Sequence, residues 1–504
     1  ALEFYSDWLG AYPYQQMSVV SAPLSAGGGM EYPMVAQIGY MEDSASLDLV
    51  IAHEIGHTWL YGILANNERA HPWMDEGLNS FIEAQYTAKY QPAYREAYLP
   101  REYTTSASMD QVDALQHALH FSNTLQPPAT SPESQQQAQY FFSAYTMPAQ
   151  GLQMMMGMEG EEVMKKMFRQ YFADHQFSHV TPAHLSNSFE QACDCDLSWY
   201  FDGWIHHAHE IDYRISHFDR EKKEVTFVNH GPADIPLRFN TYKDGQQIRE
   251  HTLNGFKGEK TIHLDHRADE IHLYEGFMGV NRHWSSNINP RSLIPRFGFM
   301  PKIESYRSPT IGITPAFGYN LADGFMAGVA LSSGLLPQQH FKFVVAPLYG
   351  KKSKKIRGYA NFRYINDLKS GPFDKFLLSL AFDDFGYNVD THYLFRDHYF
   401  RWEPTVAFRL KPTDTNSKIS QWLKYRYVNI NQYYGRGQNY EDKIYTEEHR
   451  SYGIHELSYQ FRSDEVLKPL EAIGNVQGGK GFVRLNLRYK QHFVGKDKRR
   501  GVWV

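Results

Sequence analysis

The chain has 504 residues, a formal net charge of −5 and a sequence pI near 6.6. This length exceeds what one hydrophobic core usually serves, so we expect about two to four domains. The nearly balanced charge gives no reason to expect a nucleic-acid partner, and no apolar run of about eighteen residues is present to form a membrane-spanning helix.

The two cysteines are expected to form neither a disulfide nor a metal site. Cys193 and Cys195 are too few for a disulfide framework and too close in sequence to bridge comfortably, and they lack the further ligands of a metal site.

The stretch "ALEFYSDWLG" (1–10) resembles the interior of an α/β domain, without an initiator Met or signal peptide. We therefore expect the chain to be a fragment, truncated at both ends.

Residues 1–205 alternate strand and helix signals. The stretch "QQMSVVSAP" (15–23) predicts a strand, and residues 73–86 predict a helix. Residues 48–64 predict another helix, because apolar residues recur at three-to-four-residue spacing. These apolar positions are Ile51, Ile55, Trp59 and Ile63.

The helix predicted at 48–64 carries polar residues that a buried helix does not need. His53 and His57 are four positions apart, so they share one helix face and can bind the same Zn²⁺. Glu54 lies to the side, where it can act as a base on water without binding the metal. Glu76, nineteen positions after His57, can supply the third ligand from the next helix. Two histidines and one carboxylate leave the fourth position of one zinc ion open for water, as hydrolytic zinc requires.

The middle of the chain changes to an alternating pattern. Residues 206–285 contain stretches such as "EVTFVNHG" and "IPLRFNTYKDG", separated by turn residues, which predict a small β-sandwich. Residues 286–309 are predicted to be a linker.

Residues 310–504 alternate persistently, as in "RWEPTVAFRLK" (401–411) and "GFVRLNLRYK" (481–490). Strands of about ten residues with one apolar and one polar face fit a transmembrane β-barrel. A soluble antiparallel sheet with one buried face would alternate in the same way. The number of such segments, the Tyr and Phe near their ends and the long charged side chains favour the barrel. It would be partial, since "GKDKRRGVWV" ends in mid-pattern.

The motif HExxH, followed by eighteen residues and Glu, resembles the aminopeptidase N family of gluzincin zinc peptidases. The resemblance covers residues 1–205, including "DLSWYFDGWI", and implies a multidomain α+β chain. Its catalytic domain would be thermolysin-like with a helical C-terminal part, and the N-terminal part of that domain would be missing. The stretch "GGGMEYP" (27–33) resembles the family's Gly-x-Met-Glu-Asn strand. That assigns Glu31 to the substrate's α-ammonium group and Gly28 and Gly29 to its backbone.

The stretch "YTMPAQGLQMM" (145–155) resembles the start of the family's Tyr-Glu-Lys-Gly helix. The resemblance assigns Tyr145 to the developing oxyanion, with Tyr140 as the competing tyrosine. This chain departs from the family at Tyr32, Thr146 and Met147, which bear on substrate preference, and it has Asp75 before Glu76 where the family often has Asn. Asp75 and Glu83 are both candidates to hold the second nitrogen of a metal-binding histidine.

The resemblance implies a zinc aminopeptidase that acts on peptides with a free N-terminus. The tail resembles barrels fused to such peptidases in some outer-membrane proteins. That likeness implies contact with a lipid bilayer and a place in the bacterial outer membrane, with the catalytic domain in the periplasm or at the cell surface. Two alternatives remain open at this stage. One is a transport or assembly barrel with a peptidase-like binding domain, and the other is an endopeptidase or a different hydrolase on the same fold.

Overall fold

The computed structural model divides the chain into two compact units, residues 1–291 and 292–504. The residues that it describes are 1–24, 28–91, 116, 119, 125–132, 135, 137–207, 211–273, 294–300, 309–334, 340–368, 370–389, 396–413, 417–439, 444–464, 469–494 and 501–503.

The first unit contains a small mixed sheet and a group of helices. The sheet has the order β1–β3–β2, with β1 (Ser18–Ser21) parallel to β3 (Val35–Ile38) and β2 (Gly29–Tyr32) antiparallel to it. The helices are α1 (Leu2–Trp8), α2 (Ser44–Gly56), α3 (Leu78–Tyr90), α4 (Gln137–Phe141), α5 (Met147–Glu159), α6 (Glu161–His175) and α7 (Pro182–Cys193). Three π-helical turns accompany them: π1 (Trp73–Gly77), π2 (Phe142–Thr146) and π3 (Trp199–His206). Within the described ranges, no helix combines the length and the apolar character needed to cross a bilayer.

Helix α2 begins and ends earlier than the predicted range of 48–64. It begins after Asp43, whose side chain accepts a hydrogen bond from the Ser46 backbone N–H at 2.8 Å and so caps the first turn. It ends at Gly56, because the chain then turns, with Tyr61 at a φ of 105°. The turn leads into β4 (Leu64–Asn66), which pairs in parallel with β5 (Ser178–Val180). The apolar residues beyond the helix therefore lie in this turn and strand, not on a helix face.

Buried aromatic rings hold the helices together. Phe81 of α3 packs edge-on against Trp8 of α1, with ring centroids 5.5 Å apart, and stacks on Phe168 of α6 at 5.8 Å. All three rings are buried. Aromatic pairs at this distance stabilise a core beyond the area they bury, so α3 has a fixed position between α1 and α6.

Two three-stranded antiparallel sheets follow the helices. Their strands are β6 (Tyr213–Asp219), β7 (Glu224–Asn229), β8 (Leu237–Lys243), β9 (Gln246–Leu253), β10 (Gly258–His263) and β11 (Glu270–Leu273), in the orders β10–β7–β6 and β11–β8–β9. Phe227 and Phe239, one from each sheet, are buried with ring centroids 4.9 Å apart. The two sheets therefore pack face to face inside the range 206–285, of which 274–285 lies outside the described residues.

Cys193 and Cys195 form a disulfide, so the prediction that they would not bridge is wrong. Asp194 between them has a φ of 54°, a left-handed conformation that turns the chain sharply after α7. Their Cα atoms are 5.2 Å apart, within the range of about 4.4–6.8 Å that a disulfide spans. The prediction considered their separation in sequence and missed this turn.

The second unit is a twelve-stranded sheet whose strands follow one another in chain order from β12 to β23. The strands are β12 (Arg296–Phe299), β13 (Thr310–Asn320), β14 (Gly324–Ser333), β15 (Phe341–Gly350), β16 (Lys355–Asp367), β17 (Phe373–Val389), β18 (Arg396–Leu410), β19 (Ile419–Asn439), β20 (Ile444–Ser463), β21 (Leu470–Gly479), β22 (Phe482–Val494) and β23 (Gly501–Trp503). All neighbours are antiparallel except β12 and β13. Strand β12 lies within the range predicted as a linker, and residues 286–293 and 301–308 of that range lie outside the described residues.

The two faces of this sheet differ in polarity, as the alternating sequence predicts. One row of residues paired across β15–β22 is apolar or aromatic throughout: Phe341, Tyr364, Leu378, Val406, Tyr425, Leu457, Val476 and Leu485. The adjacent row is polar or charged: Lys342, Arg363, Ser379, Thr405, Arg426, Glu456, Gln477 and Arg484. On the polar face Arg426 forms ion pairs with Glu456 at 2.8 Å and Glu403 at 3.1 Å.

Candidate active site

The three predicted metal ligands meet at one point. His53 and His57 lie one turn apart on α2, and Glu76 lies in π1 just before α3. The two histidine Nε2 atoms are 3.1 Å apart, and each is 3.2 Å from Glu76 Oε2. Ligands on a tetrahedral zinc, with bonds of about 2.0–2.1 Å, lie about 3.3 Å from one another. The size of this triangle and its donor set of two imidazoles and a carboxylate therefore fit zinc.

The Nδ1 atom of each histidine makes a hydrogen bond of its own. His53 Nδ1 donates to Glu83 Oε2 at 3.0 Å, and His57 Nδ1 donates to the Leu60 carbonyl at 3.2 Å. Both Nε2 atoms are thereby left to face the metal, the usual arrangement around protein zinc. Of the two candidates for this supporting role, Glu83 fills it and Asp75 does not. Asp75 immediately precedes Glu76, and adjacent helical residues project in different directions.

The charge of Glu76 also suits a cation. Burial alone would raise the pKa of this carboxyl, but its hydrogen bonds with His53 and His57 hold the pKa well below its ordinary value. Glu76 is therefore ionised at neutral pH, and a positive ion between the three side chains is favourable.

Asn79 fixes the position of the histidine helix, a role that the sequence analysis missed. Its Nδ2 donates to the His53 carbonyl at 2.8 Å, and its Oδ1 accepts a hydrogen bond from the Tyr5 hydroxyl at 2.7 Å. Asn79 is buried. A polar residue two positions before the buried Phe81 is the sequence signal that could have revealed it, since buried amides need hydrogen-bond partners.

Glu54 lies beside the metal ligands in the setting that a general base requires. The side chain is buried, and burial, with a smaller contribution from Glu31 and Glu76, raises the pKa of Glu54 from 4.5 to about 7. Glu54 Oε2 has no hydrogen-bond partner among the described residues. A carboxyl that titrates near neutral pH and has an open acceptor can take a proton from water and release it again.

Strand β2 carries Gly29 and Glu31, two of the three residues assigned to substrate binding, and Gly28 immediately precedes the strand. A Cβ atom on Gly29 would lie 2.1 Å from Glu54 Oε1, so the glycine is required for the strand to pass beside this carboxyl. The Gly28 carbonyl accepts a hydrogen bond from the Gly39 backbone N–H at 2.9 Å. Glu31 lines a cleft of about 300 Å³ that also reaches Glu76. The structure therefore places Glu31 and the metal ligand Glu76 on one cleft, and it gives Gly29 a further role in accommodating Glu54.

Tyr145, not Tyr140, reaches the metal ligands. The Tyr145 hydroxyl donates to Glu76 Oε1 at 2.5 Å. Burial and the charge of Glu76 raise the pKa of Tyr145 far above 10, so the hydroxyl keeps its proton. Tyr140 lines the same cleft and packs edge-on against Tyr145, with ring centroids 6.2 Å apart.

Gly77 explains how Tyr145 comes so close. A Cβ on Gly77 would lie 2.4 Å from Pro148 Cβ and 2.9 Å from the Ala144 carbonyl oxygen. Only a glycine lets π1 and the start of α5 approach to this distance. Glu76 and Tyr145 both lie in π-helical turns, a feature often found at functional sites.

The first part of the chain is similar to known peptidases. The sequence profile of the Peptidase family M1 domain matches residues 1–204. Aminopeptidase N from Lactobacillus helveticus is 22% identical over 219 residues, which cover 41% of this chain and 25% of that protein. Endoplasmic reticulum aminopeptidase 1 from Homo sapiens is 24% identical over 279 residues, 51% of this chain and 28% of that protein. The chain therefore spans about a quarter of the length of these curated relatives.

A solved structure is also similar. The crystal structure of Legionella pneumophila aminopeptidase A in complex with aspartic acid aligns with a TM-score of 0.41 and 16% identity, covering 56% of this chain and 33% of that chain. The family match confirms the resemblance predicted from HExxH and Glu76.

The raised pKa of Glu54 predicts a pH-dependent effect of Glu54→Gln on stability. The folded carboxyl binds its proton more tightly than the unfolded one, so the fold loses stability as the pH rises from 4.5 through about 7. The full loss amounts to roughly 3 kcal/mol. In metal-free protein at pH 8, we expect Glu54→Gln to increase the free energy of unfolding by about 1–3 kcal/mol. At pH 5 the difference should be much smaller.

Denaturant unfolding at both pH values measures this difference. The matched control is Glu162→Gln, which changes an exposed carboxylate of α6 and should give no such pH-dependent gain. Equal stability of wild type and Glu54→Gln at pH 8 would contradict the buried, high-pKa carboxyl.

Proposed function

We propose that this chain, whose residues 1–204 match the profile of the Peptidase family M1 domain, is a zinc-dependent aminopeptidase that removes N-terminal residues from peptides. The observation that carries the proposal is the convergence of His53, His57 and Glu76 beside Glu54 and Tyr145. A domain that only binds ligands has no need of a metal site with a buried base and a hydroxyl donor next to it.

Each residue of the site has a separate role in the proposed reaction. Zinc held by the two histidines and Glu76 would act as a Lewis acid towards water and the scissile carbonyl. Glu54 takes the proton of the attacking water through its open Oε2 and passes it to the leaving amine. The Tyr145 hydroxyl, which bonds to Glu76 without substrate, turns to the oxyanion that develops on the substrate carbonyl.

Glu31 makes the proposed activity exopeptidic. A peptide entering the cleft brings an α-ammonium group that loses part of its hydration there, and a carboxylate must compensate for that loss. Glu31 lines the cleft next to Glu76. A substrate whose ammonium is paired with Glu31 can place only its first peptide bond at the metal ligands.

We predict that Glu54→Gln lowers kcat by at least about a thousandfold, because it removes the carboxylate that accepts the proton of the water. Tyr145→Phe removes an oxyanion donor and should lower kcat by about a hundredfold or more. Both variants should bind zinc as wild type does. Hydrolysis of alanyl aminomethylcoumarin, measured together with zinc content, tests the prediction.

Tyr140→Phe is the matched control and should keep most of the activity. Full activity of Glu54→Gln would refute the mechanism. An inactive wild type with bound zinc would instead favour the competing function, in which the sheet serves transport or assembly and the peptidase domain only binds.

The role of Glu31 distinguishes an aminopeptidase from an endopeptidase on the same fold. Acetylating the α-amine removes the charge that Glu31 pairs with, so we expect kcat/KM for an alanine peptide to fall at least a hundredfold on acetylation. Glu31→Gln should weaken KM for the free-amine peptide and reduce the effect of acetylation. Unchanged turnover of the acetylated peptide would show endopeptidase action.

We further propose that the second unit contacts a lipid bilayer as a barrel of the bacterial outer membrane. Its apolar row on β15 extends from Phe341 to Tyr349, eight residue steps or about 27 Å at 3.4 Å per residue. Outer-membrane barrels have an outward apolar band about 25 Å tall with aromatic rings at its edges. Exposed apolar side chains on β15–β17 and β19–β22 support the same proposal, since soluble monomers rarely leave so large a surface uncovered. The catalytic domain would then lie in the periplasm or at the cell surface.

A pair of neighbouring substitutions on β17 tests the bilayer proposal. Leu378→Arg puts a charge on the apolar face and should lower the yield of chain folded into phosphatidylcholine vesicles several-fold, because a charge facing lipid is unfavourable by about 2–4 kcal/mol near the midplane. Ser379→Arg puts the same charge on the polar face and should fold as wild type does. Folding is measured by heat-dependent gel migration. Equal folding of both variants, or none of the wild type, would argue for a soluble sheet.

A further inference from the structure

The cleft beside the metal ligands has more carboxylates than the proposed reaction uses. Its described lining includes Glu31, Glu68, Asp75 and Glu76, together with Arg69, Pro72, Pro132 and Tyr140. Glu76 serves the metal, and Glu31 pairs with the substrate's α-ammonium. Two carboxylates therefore remain without a role in the chemistry.

Glu68 lies between β4 and π1, partly buried at the side of the cleft. Burial raises the pKa of its carboxyl, and the negative charges of Glu31 and Glu76 raise it further, so the three groups are close enough to interact. A cation placed among them would be attracted by all three. The position of Glu68 suits a positive group that enters the cleft together with the α-ammonium.

Asp75 provides an independent indication. It lines the same cleft, it is only 2% exposed, and its Oδ1 has no hydrogen-bond partner among the described residues. A buried carboxylate oxygen without a partner is unfavourable unless a ligand satisfies it. The lining of the cleft therefore includes a buried acceptor that no described residue satisfies.

We propose that this cleft selects peptides with a basic side chain, lysine or arginine, in one of the first two positions, and that Glu68 is the specificity-determining residue. The proposal rests on the aminopeptidase function. The α-ammonium pairs with Glu31, and the second positive charge pairs with Glu68 in the cleft that Asp75 also lines. A neutral side chain brings no positive charge to these carboxylates, so the enzyme discriminates against it.

The test compares kcat/KM of the zinc-loaded full chain for three amides of equal length, Lys-Ala, Ala-Lys and Ala-Ala. One lysine substrate should exceed Ala-Ala by about tenfold in wild type. Whether it is Lys-Ala or Ala-Lys identifies the position that faces Glu68. In Glu68→Gln this ratio should fall to about one. Glu159→Gln, which removes a carboxylate from a different cleft, should keep the wild-type ratio.

A binding measurement separates this inference from the proposed function. Calorimetry with the zinc-loaded Glu54→Gln chain needs no turnover, and the preferred lysine amide should bind about tenfold more tightly than Ala-Ala. Adding Glu68→Gln should remove that preference. A zinc-loaded wild type that shows the binding preference but no turnover would overturn the catalytic proposal alone. An unchanged lysine preference in Glu68→Gln, or none in wild type, would overturn the role of Glu68.

Discussion

The meeting of His53, His57 and Glu76 within 3.2 Å is the constraint on which the rest of the first unit depends. Three polar side chains in a mostly buried setting are unfavourable unless each is paired. The surrounding residues meet that requirement, because Glu83 and the Leu60 carbonyl hold the outer histidine nitrogens. The aromatic core around Phe81 keeps α3, and with it the end of π1, in place.

Two carboxyl groups of the site differ in their hydrogen bonding, and the difference matches their proposed roles. Glu76 must be a fixed anion, and its hydrogen bonds lower its pKa. Glu54 must exchange a proton, and it is buried with a raised pKa and a free oxygen. This arrangement lowers stability at neutral pH in return for reactivity, a common property of catalytic carboxyls. Gly29 and Gly77 make it possible by giving Glu54 and Tyr145 room beside the metal ligands.

Local spacing was enough to predict the metal ligands, because residues four apart on a helix share a face and the next helix carries a carboxylate. The alternation of the tail likewise predicted two unlike faces, which the strand register confirms for two adjacent rows across β15–β22. Glu31 and Tyr145 came from the resemblance to a family, since nothing in their own surroundings in sequence shows that they meet the metal ligands. The end of α2 at Gly56, the pairing of Glu83 instead of Asp75 and the Cys193–Cys195 bridge depend on single backbone turns and contacts, which hydrophobic periodicity does not encode. The role of Asn79 depends on its hydrogen bonds with Tyr5 and His53, and that of Glu68 depends on the cleft it shares with Glu31, so neither is visible in the local sequence.

X-ray absorption at the zinc edge tests the central claim most directly, because it reports the ligands of the ion itself. For the purified full chain, the account predicts one zinc per chain with two imidazole nitrogens and oxygen ligands at about 2.0–2.1 Å. Replacing Glu76 with Gln should change the oxygen shell, and replacing either histidine with Ala should lower zinc content. A chain that binds no zinc, or that binds it with sulfur ligands or without histidine, would contradict the account.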